Sequence, residues 1–516
     1  MAASNVVYAR AHAVAVVGVR GQVVGVEAHV GRGLPALLLT GLPGAAVQDA
    51  RERVRPAVEN SGLEWPLRRV TVNLSPADLR KEGPGFDLPI AVAVLAATGQ
   101  VKGERLSRYA LSGELSLRGS LLPTPGILAV AAASARAGLA GVVVPEANAA
   151  EAGLVEGIEV VGAPALARVL DFLRGTWTPG LAVAPTETSS PVPAVDFAEV
   201  RGQGQARRAL EVAAAGGHNV LLVGPPGAGT TMLARRLPTI LPAMTRQEAL
   251  EVTLLHSVAG LLGPGRALAS SRPFRAPHHS TSASGLLGGG STVIRPGEVS
   301  LASRGVLFMD EVNEFRRDVL EGLRQPLEDG RVVIVRASGA VEFPARFTLV
   351  AAANPCPCGF DGDARRRCRC LPHRVELYRQ RLSGPLLDRM DIRLRVPRLS
   401  KSELMGSELG EESSPIRDRV QAARERQRAR LRGPRCNGQM SGAEARRVAM
   451  LSTEAERVLG RAVERYGLTG RGFDRALKVA RTIADLDGSD GIGAPHLLEA
   501  LAFRGESDAP GETGVA

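Results

Sequence analysis

A glycine-rich stretch, "LLVGPPGAGTTMLARRLP" at residues 221 to 238, joins a strand-like apolar run to a helical pattern. Its spacing approaches the phosphate-binding pattern G-x-x-x-x-G-K-[ST], whose backbone N–H groups bind phosphate at a helix start. Gly224 and Gly229 fill the glycine positions, and Thr231 fills the hydroxyl position that binds Mg²⁺. Thr230 replaces the lysine. The predicted nucleotide-binding residues are Gly224, Pro225, Pro226, Gly227, Ala228, Gly229, Thr230 and Thr231.

Polar residues also end two later apolar runs. Asp310 and Glu311 close "GVLFMDEV" (305 to 312), and Asn354 closes "FTLVAAANP" (347 to 355). The carboxyl ends of parallel strands meet at one edge of a sheet, so these side chains are expected beside the glycine-rich loop. Asp310 and Thr231 would then hold Mg²⁺, Glu311 would activate water, and Asn354 would orient that water. Each residue alone is explained as well by a strand cap or a turn, but together and in this order they favour an ATP–Mg²⁺ site.

The strands and helices that would position these residues alternate along the chain, which predicts an α/β protein. Residues 1 to 177 alternate strands, such as 70 to 76 and 141 to 147, with Ala-rich helices at 87 to 99 and 127 to 138. Residues 178 to 194 are rich in Pro, Ser and Thr and predict a linker. The pattern of residues 195 to 396 predicts a parallel α/β sheet. Residues 397 to 505 are predicted to be helical, and residues 506 to 516 are predicted to be a disordered tail.

Long strings in the second half resemble the magnesium chelatase-like AAA+ ATPases, in the ComM/YifB branch of competence-associated proteins. They are "RPFRAPHHSTSASGLLGGG" (272 to 290), "RPGEVSLASRGVLFMDEVNEF" (295 to 315), "AAANPCPCG" (351 to 359) and "RLSGPLLDRMD" (381 to 391). The resemblance implies an AAA+ core with a C-terminal helical lid, and a ring-forming helicase that migrates DNA branches. It also implies that Arg389 is an arginine finger between subunits and that Arg471, or else Arg475, is a sensor arginine. A finger acting between subunits implies a ring, and a hexamer is expected.

The segments 81 to 95 and 111 to 148 resemble the peptidase domain of Lon proteases, which implies an α+β fold of the ribosomal S5 domain 2-like type. The resemblance places a Ser–Lys dyad in such a domain, where the amine activates the hydroxyl. Here Gly85 takes the serine position, and Leu128 follows Gly126-Ile127 where the lysine is expected. Peptide hydrolysis is therefore not expected, and the domain is predicted to be a scaffold, a ring-assembly surface or a DNA-contacting collar.

Thr230 is the departure from the family pattern that bears most on activity. The usual lysine places a compact positive charge on the β- and γ-phosphates, whereas threonine offers one hydroxyl and no charge. The backbone N–H groups still attract phosphate, so weakened ATP binding is expected. Loss of one preorganised charge-stabilising donor typically slows catalysis by about 10²- to 10³-fold. Weak binding and very slow hydrolysis are predicted.

Four of the five cysteines form two C-x-C pairs within fifteen residues, "CPCGFDGDARRRCRC", as Cys356, Cys358, Cys368 and Cys370. Four thiolates so close together suit tetrahedral Zn²⁺, although this spacing is tighter than the usual C-x₂₋₄-C. Four reduced thiols, or a redox-labile loop, are an equally good interpretation. Five cysteines in 516 residues do not suggest a disulfide scaffold, and a reducing cytoplasmic location is expected.

The chain carries a formal net charge of +11, which favours a polyanionic partner such as DNA. Only four of its 64 basic residues are lysine, so genomic codon bias explains the charge equally well. The segment 417 to 435 holds eight arginines and two acids and is either a DNA-contacting helix or a solvated one. The glycine-rich segment 286 to 292 and the cysteine loop are candidates for lining a ring pore. Aromatic residues are only 3%, so sequence-independent, salt-sensitive backbone binding of branched or single-stranded DNA is expected.

The sequence is also compatible with two further functions. The chain could be the motor subunit of a true magnesium chelatase, although residues 1 to 177 argue for the ComM/YifB branch. It could also be a structural ring protein that binds ATP without hydrolysing it, which the Thr230 substitution makes a serious alternative. No apolar run of 18 residues is present, so no membrane partner is expected.

Overall fold

The computed structural model describes residues 7–101, 104–180, 195–263, 268–290, 293–336, 339–400, 403 and 409–504. Most of the predicted linker, residues 181–194, and the predicted tail lie outside the described residues. Within the described residues, no helix has the length and apolar character needed to cross a membrane.

A mixed seven-stranded sheet forms the first part of the chain, in the order β3-β4-β2-β1-β5-β8-β9. β1 pairs antiparallel with β2, and β2 pairs antiparallel with β4, while β5, β8 and β9 continue in parallel from β1. The strands predicted at 70 to 76 and 141 to 147 are confirmed as β4 and β8. The strands of this region are β1 Tyr8–Val17, β2 Arg20–Gly31, β3 Ala36–Thr40, β4 Arg69–Ser75, β5 Tyr109–Leu111, β6 Glu114–Leu115, β7 Leu121–Leu122, β8 Gly141–Pro145 and β9 Glu159–Ala163.

Two helices predicted from Ala-rich runs cover this sheet. Every residue of the helix Asp87–Ala97 is buried, as expected for a helix that is apolar all round and packs on β1 and β2. The helix Ile127–Arg136 packs against β2 and β8. The helices of this region are Ala45–Gln48, Ala50–Asn60, Asp87–Ala97, Ile127–Arg136, Ala149–Ala152 and Leu166–Arg174.

A second, parallel sheet has the order β11-β14-β17-β10-β18. Alternate residues of its strands enter two different apolar clusters, for example Leu222 on one face and Leu221 on the other. Both faces are therefore covered, as parallel sheets require. The strands are β10 Val220–Val223, β11 Phe274–Arg275, β12 Gly288–Gly289, β13 Arg295–Pro296, β14 Val306–Met309, β15 Arg331–Arg336, β16 Gly339–Pro344, β17 Thr348–Ala353 and β18 Ile392–Arg395.

β12 with β13 and β15 with β16 form two antiparallel ribbons outside this sheet. The helices of the region are Gly204–Gly216, Thr230–Ile240, Arg246–Ala259, Ala283–Leu287, Glu298–Leu301, Arg317–Gly322, Arg324–Asp329, Pro372–Arg379 and Gly384–Leu387.

The last part of the chain is helical, as predicted, and shares one apolar core with the parallel sheet. A buried polar chain ties the two together: His218 Nδ1 lies 3.1 Å from Asp391 Oδ2, and its Nε2 lies 2.8 Å from Thr482 Oγ1. Burial alone would raise the pKa of Asp391, but the His218 hydrogen bond and the nearby Lys478 hold it below its usual value. The helices are Ser413–Leu431, Gly442–Val448, Thr453–Tyr466, Gly470–Leu486 and Ala494–Ala502.

The seven-stranded sheet region contacts the parallel-sheet region mainly through the helix Arg246–Ala259. The buried carboxylate of Glu151 accepts hydrogen bonds from Ser257 Oγ and from the backbone N–H of Leu128. Leu128 belongs to an apolar cluster that also contains Leu250 and Leu254 of that helix. Hydrogen bonds and apolar contacts therefore converge on one helix.

A second contact joins the β1–β2 turn to the β15–β16 ribbon. Gly18 turns with φ +61°, and a Cβ there would lie 2.8 Å from Cγ1 of Val341. Val341 and Phe343 are buried in a small cluster that includes Val19. Glycine is required at position 18 both for the turn and for this close approach.

Candidate nucleotide-binding site

The glycine-rich loop lies between β10 and the helix Thr230–Ile240, as the sequence predicts. Gly227 and Gly229 adopt left-handed conformations with φ of 81° and 91°, which bend the chain into the helix start. The backbone N–H of Gly224 donates to the carbonyl of Ala353 at 3.1 Å, and this fixes the loop on the neighbouring strand. The first N–H groups of the helix have no partner within it and are suited to phosphate oxygens.

Thr231 and Asp310 meet beside this loop. Thr231 Oγ1 donates to Asp310 Oδ2 at 2.7 Å, although 79 positions separate them in the chain. β14 carries Asp310 just beyond its carboxyl end, and Thr231 is the second residue of the helix that follows the loop. A hydroxyl and a carboxylate at this distance provide two of the oxygen ligands that Mg²⁺ prefers.

Glu311 has an unusual backbone conformation for a residue with a side chain, φ 49° and ψ 47°. Its side chain is 54% exposed, and one carboxylate oxygen lies 3.8 Å from Nδ1 of His279. An acid held in this way is accessible to water, which suits the predicted role of base. His279 was not predicted from the sequence; its signal was the adjacent pair His278 and His279 shortly after a strand-like run.

Asn354 follows β17 directly and is partly buried. Because β17 lies between β10 and β14, Asn354 ends the strand between those that carry the glycine-rich loop and Asp310. A Cβ placed on Gly359 would lie 2.5 Å from Cδ of Pro226 and 3.9 Å from Oδ1 of Asn354. The loop that begins after Asn354 is thus packed against the glycine-rich loop.

Thr230 is the first residue of the helix and is partly exposed. Arg236, one turn further on, is bound elsewhere: it forms an ion pair with Glu199 and donates to the carbonyl of Asp196 at 3.2 Å. Arg235 is exposed. Arg236 therefore does not replace the missing lysine.

Comparisons with known proteins bear on this arrangement. The model described as "Magnesium chelatase, subunit ChlI" matches residues 196–404, "Subunit ChlI of Mg-chelatase" matches 26–148, and the ChlI C-terminal model matches 410–504. A Mycobacterium tuberculosis protein printed as uncharacterized is 47% identical over 498 residues, covering 96% of this chain and 98% of the relative. YifB of Escherichia coli is 42% identical over 499 residues, covering 96% of each chain. The competence protein ComM of Haemophilus influenzae is 42% identical over 506 residues, covering 97% of each.

The chain belongs to the ComM/YifB branch of the magnesium chelatase-like family. Membership implies ATP and Mg²⁺ as cofactors, and the structure has residues that fit both. The helix start and glycine-rich loop fit a triphosphate, and the hydroxyl and carboxylate of Thr231 and Asp310 fit Mg²⁺.

Two of the three arginines implied by the family pattern contact the same acid, Asp388. Arg471 is 68% exposed and lies 3.7 Å from Asp388, while the buried Arg475 lies 3.2 Å from the same carboxylate. Arg389, one residue further, forms an ion pair with Glu328 and is 14% exposed. Arg471 is thus the more accessible of the two sensor candidates, and Arg475 is bound within the fold.

The positions that a Ser–Lys dyad would occupy in a Lon-type domain hold no such pair in this chain. Gly85 has no side chain, and a Cβ there would lie 2.8 Å from Oγ of Ser112. Lys81 is buried, and its ammonium donates to the carbonyl oxygens of Gly41, at 3.0 Å, and Pro76. Burial lowers the pKa of Lys81, with Asp78 acting in the opposite direction. The amine is therefore bound to backbone carbonyls and holds the fold together.

The four cysteines of residues 356 to 370 come together. Their sulfur atoms all lie within 4.8 Å of one another, and all four are free thiols. The backbone N–H of Arg369 is the main cause that lowers the pKa of the Cys358 thiol to about 6. The fifth cysteine, Cys436, is buried outside this group.

The basic segment 417 to 435 contains most of the helix Ser413–Leu431, whose buried stripe includes Ile416 and Val420. Its arginines are largely engaged within the chain. Arg419 pairs with Glu211 at 2.7 Å, Arg430 pairs with Asp485 at 2.5 Å, and Arg424 donates to a backbone carbonyl at 2.9 Å. These contacts favour a structural helix over a DNA-binding surface.

Proposed function

We propose that this chain is an ATP- and Mg²⁺-binding AAA+ protein that remodels branched or single-stranded DNA, with hydrolysis weakened by Thr230. The observation that carries the proposal is the 2.7 Å contact between Thr231 Oγ1 and Asp310 Oδ2 at the start of a helix that follows a glycine-rich loop. This contact brings together residues from two sequence motifs, and the site it forms suits a metal-bound triphosphate.

In the proposed reaction each residue has a separate task. Thr231 and Asp310 would hold Mg²⁺, whose positive charge would offset the charge of the phosphates. The backbone N–H groups from Gly224 to Thr231 would hold the phosphates, and the exposed carboxylate of Glu311 would accept a proton from the attacking water. Asn354 would orient that water through its amide. Thr230 would give the γ-phosphate one hydrogen bond and no positive charge.

The location of the family arginines supports a ring. β10 and β18 are parallel neighbours, with Val220 opposite Ile392 and Val223 opposite Arg395. The glycine-rich loop follows the carboxyl end of β10, whereas Arg389 precedes the amino end of β18. Strands of this length span about 10 Å, so these two features lie at opposite edges of the sheet. Arg389 is therefore proposed to act on the nucleotide of a neighbouring copy, in a ring that we propose to be a hexamer, and Arg471 is proposed to be the sensor arginine.

For DNA, the cysteine loop is the better supported contact. Its four arginines are all exposed, unlike the engaged arginines of the helix Ser413–Leu431. A cluster of exposed guanidinium groups suits phosphate backbones without reading sequence, and such binding weakens as salt rises. The four residues are Arg365, Arg366, Arg367 and Arg369.

Calorimetry with ATP and Mg²⁺ tests whether the chain binds nucleotide, on which the rest of the proposal depends. Wild type should release or absorb heat on titration at millimolar ATP, and Asp310→Ala should remove the Mg²⁺-dependent part. No uptake of nucleotide, with no effect of Asp310→Ala, would overturn the proposal. A branch-migration assay on synthetic four-way junctions, with wild type and Thr230→Lys side by side, then tests the DNA activity.

A structural ring protein that binds ATP without hydrolysing it is the second candidate. It is favoured by one observation: Arg236, the nearby partly buried cation, is bound to Glu199 and does not replace the lysine. In that case Thr230→Lys would create hydrolysis where wild type has none, and ring assembly would depend on ATP binding alone.

A further inference from the structure

We propose that Cys356, Cys358, Cys368 and Cys370 bind one Zn²⁺ through four thiolates, and that this ion fixes the loop joining Asn354 to the helix Pro372–Arg379. Zinc is assigned from the sulfur geometry and the surroundings of the loop. The site is structural, because four protein ligands leave no position open for a substrate.

The sulfur separations match a single tetrahedral ion. Cys356 Sγ lies 3.4 Å from Cys358 Sγ and 3.6 Å from Cys368 Sγ, and Cys358 and Cys368 are also 3.6 Å apart. Four sulfurs placed about 2.3 Å from a central Zn²⁺ at tetrahedral corners stand about 3.8 Å from one another. The three separations lie within a few tenths of an ångström of that value, and the fourth sulfur is in the same group.

Other sulfur chemistry fits less well. A disulfide needs two sulfur atoms about 2.05 Å apart, and these cysteines are free thiols. An iron–sulfur cluster spreads its four thiolates over two or four iron atoms and would hold the four sulfurs further apart than a single ion does. All four sulfurs here lie within 4.8 Å of one another, which suits one metal atom.

The surroundings suit the charge of the complex. Four thiols that bind Zn²⁺ release four protons, and the resulting centre carries a formal charge of −2. Exposed arginines flank the ligands at positions 365, 366, 367 and 369. The backbone N–H of Cys370 also points to Cys368 Sγ at 3.4 Å, the kind of contact that orients a metal ligand. Cys356 is fully buried, while the other three are partly exposed and give the ion a way in.

The loop joins Asn354 of the candidate nucleotide site to the helix Pro372–Arg379, which contacts the turn after Glu311. On its first side, Cys356 is two residues after Asn354, and Gly359 packs against Pro226 of the glycine-rich loop. On its second side, the helix Pro372–Arg379 begins two residues after Cys370, and the carbonyl of Tyr378 accepts from Asn313 Nδ2 at 2.8 Å.

Two ion pairs fasten the middle of the loop. Asp361 lies 2.6 Å from Arg379, and Asp363 lies 2.6 Å from Arg398. Arg398 also lies 5.5 Å from the Phe360 ring centroid. The Asp361–Arg379 pair is exposed and weak. The side chain of Asp363 is 1% exposed, but its pair with Arg398 and the Asp361–Arg379 pair both lie away from the Asn354 side of the loop. The ion is therefore proposed to supply most of the order that keeps both connections in place.

Metal analysis of the purified full-length chain tests the assignment without nucleotide or DNA, so its result is independent of the proposed motor activity. Wild type should contain about one zinc per chain. Cys368→Ser should retain less than a fifth of that amount, and Cys436→Ser, the matched control, should retain all of it. After exchange with Co²⁺, wild type should show the visible absorption of tetrahedral thiolate-bound cobalt, and Cys368→Ser should not.

Trypsin provides a second readout that a merely destabilised chain would not mimic, because the loop carries its own cleavage sites at Arg365, Arg366 and Arg367. Zinc-loaded wild type and Cys436→Ser should be cut there at least about tenfold more slowly than Cys368→Ser or chelator-treated wild type. Wild type that is purified without metal and takes up no Zn²⁺ at micromolar concentration would overturn the proposal. So would iron in place of zinc, or equal metal content in Cys368→Ser and wild type.

Discussion

Replacing Thr230 with lysine is the most informative single change. The position is the first residue of the helix that follows the glycine-rich loop, and its side chain is partly exposed. A lysine there can extend over the loop without displacing a buried neighbour. The nearby Arg236 is paired with Glu199 and does not compete for the same phosphate oxygens. The substitution therefore adds one positive charge and changes little else.

The expected gain follows from the charge added. An ammonium about 4 Å from a phosphate oxygen contributes about 4 kcal/mol at an effective dielectric constant of 20. Removing one donor that stabilises charge in the transition state has a similar effect in other enzymes, about 2.7 to 4 kcal/mol or 10²- to 10³-fold in turnover. Partial exposure of position 230 screens part of this energy. We therefore expect turnover in Thr230→Lys to exceed that of wild type by at least about tenfold and at most about 10³-fold.

Phosphate release at saturating ATP and Mg²⁺ measures this gain directly. Thr230→Met is the matched control, because it lengthens the side chain without adding charge and should leave turnover near that of wild type. Equal rates in Thr230→Lys and wild type would refute the reasoning. So would wild-type turnover already in the ordinary range for phosphoryl-transfer enzymes, about 1 to 100 per second.

Three other outcomes are expected. Asp310→Asn should weaken ATP binding at least about tenfold when Mg²⁺ is present and leave it unchanged in EDTA, as calorimetry would show. Arg389→Ala, in the lysine-restored chain, should reduce turnover by about 10³-fold at unchanged ATP affinity, and mixing it with an Asp310→Asn chain should restore part of the activity if it acts between copies. Because the pKa of Asp391 is below its unfolded value, its stabilising effect is complete above about pH 4 and is lost as the pH falls through the carboxyl range. Asp391→Asn should therefore flatten the pH dependence of the unfolding free energy below pH 4, as measured by urea denaturation. An unchanged pH dependence would show that another group causes it.

Local patterns in the sequence predicted where much of the candidate nucleotide site lies in the fold. Apolar runs followed by polar residues placed Asp310 and Asn354 at strand ends, and the structure has β14 and β17 ending there. Glycine spacing predicted the loop before Thr230 in the same way. These signals are readable because strand periodicity, turn residues and helix starts depend on neighbours within about ten positions.

Contacts between residues that are far apart in the chain could not be predicted from the sequence. Nothing near His279 in the chain indicates that it lies 3.8 Å from Glu311. The arginines of the helix Ser413–Leu431 appeared suitable for DNA, yet Arg419 is paired with Glu211, 208 positions earlier. A side chain's partner is decided by the packing of whole elements, and composition alone does not distinguish a guanidinium bound within the fold from one exposed to solvent.

The attachment of the seven-stranded sheet has a mechanical consequence. Glu151 and its apolar neighbours hold the helix Arg246–Ala259, and the turn at Gly18 rests on the β15–β16 ribbon. Two separated points of attachment prevent pivoting about either one. Any tilt of that helix would therefore move the seven-stranded sheet with it.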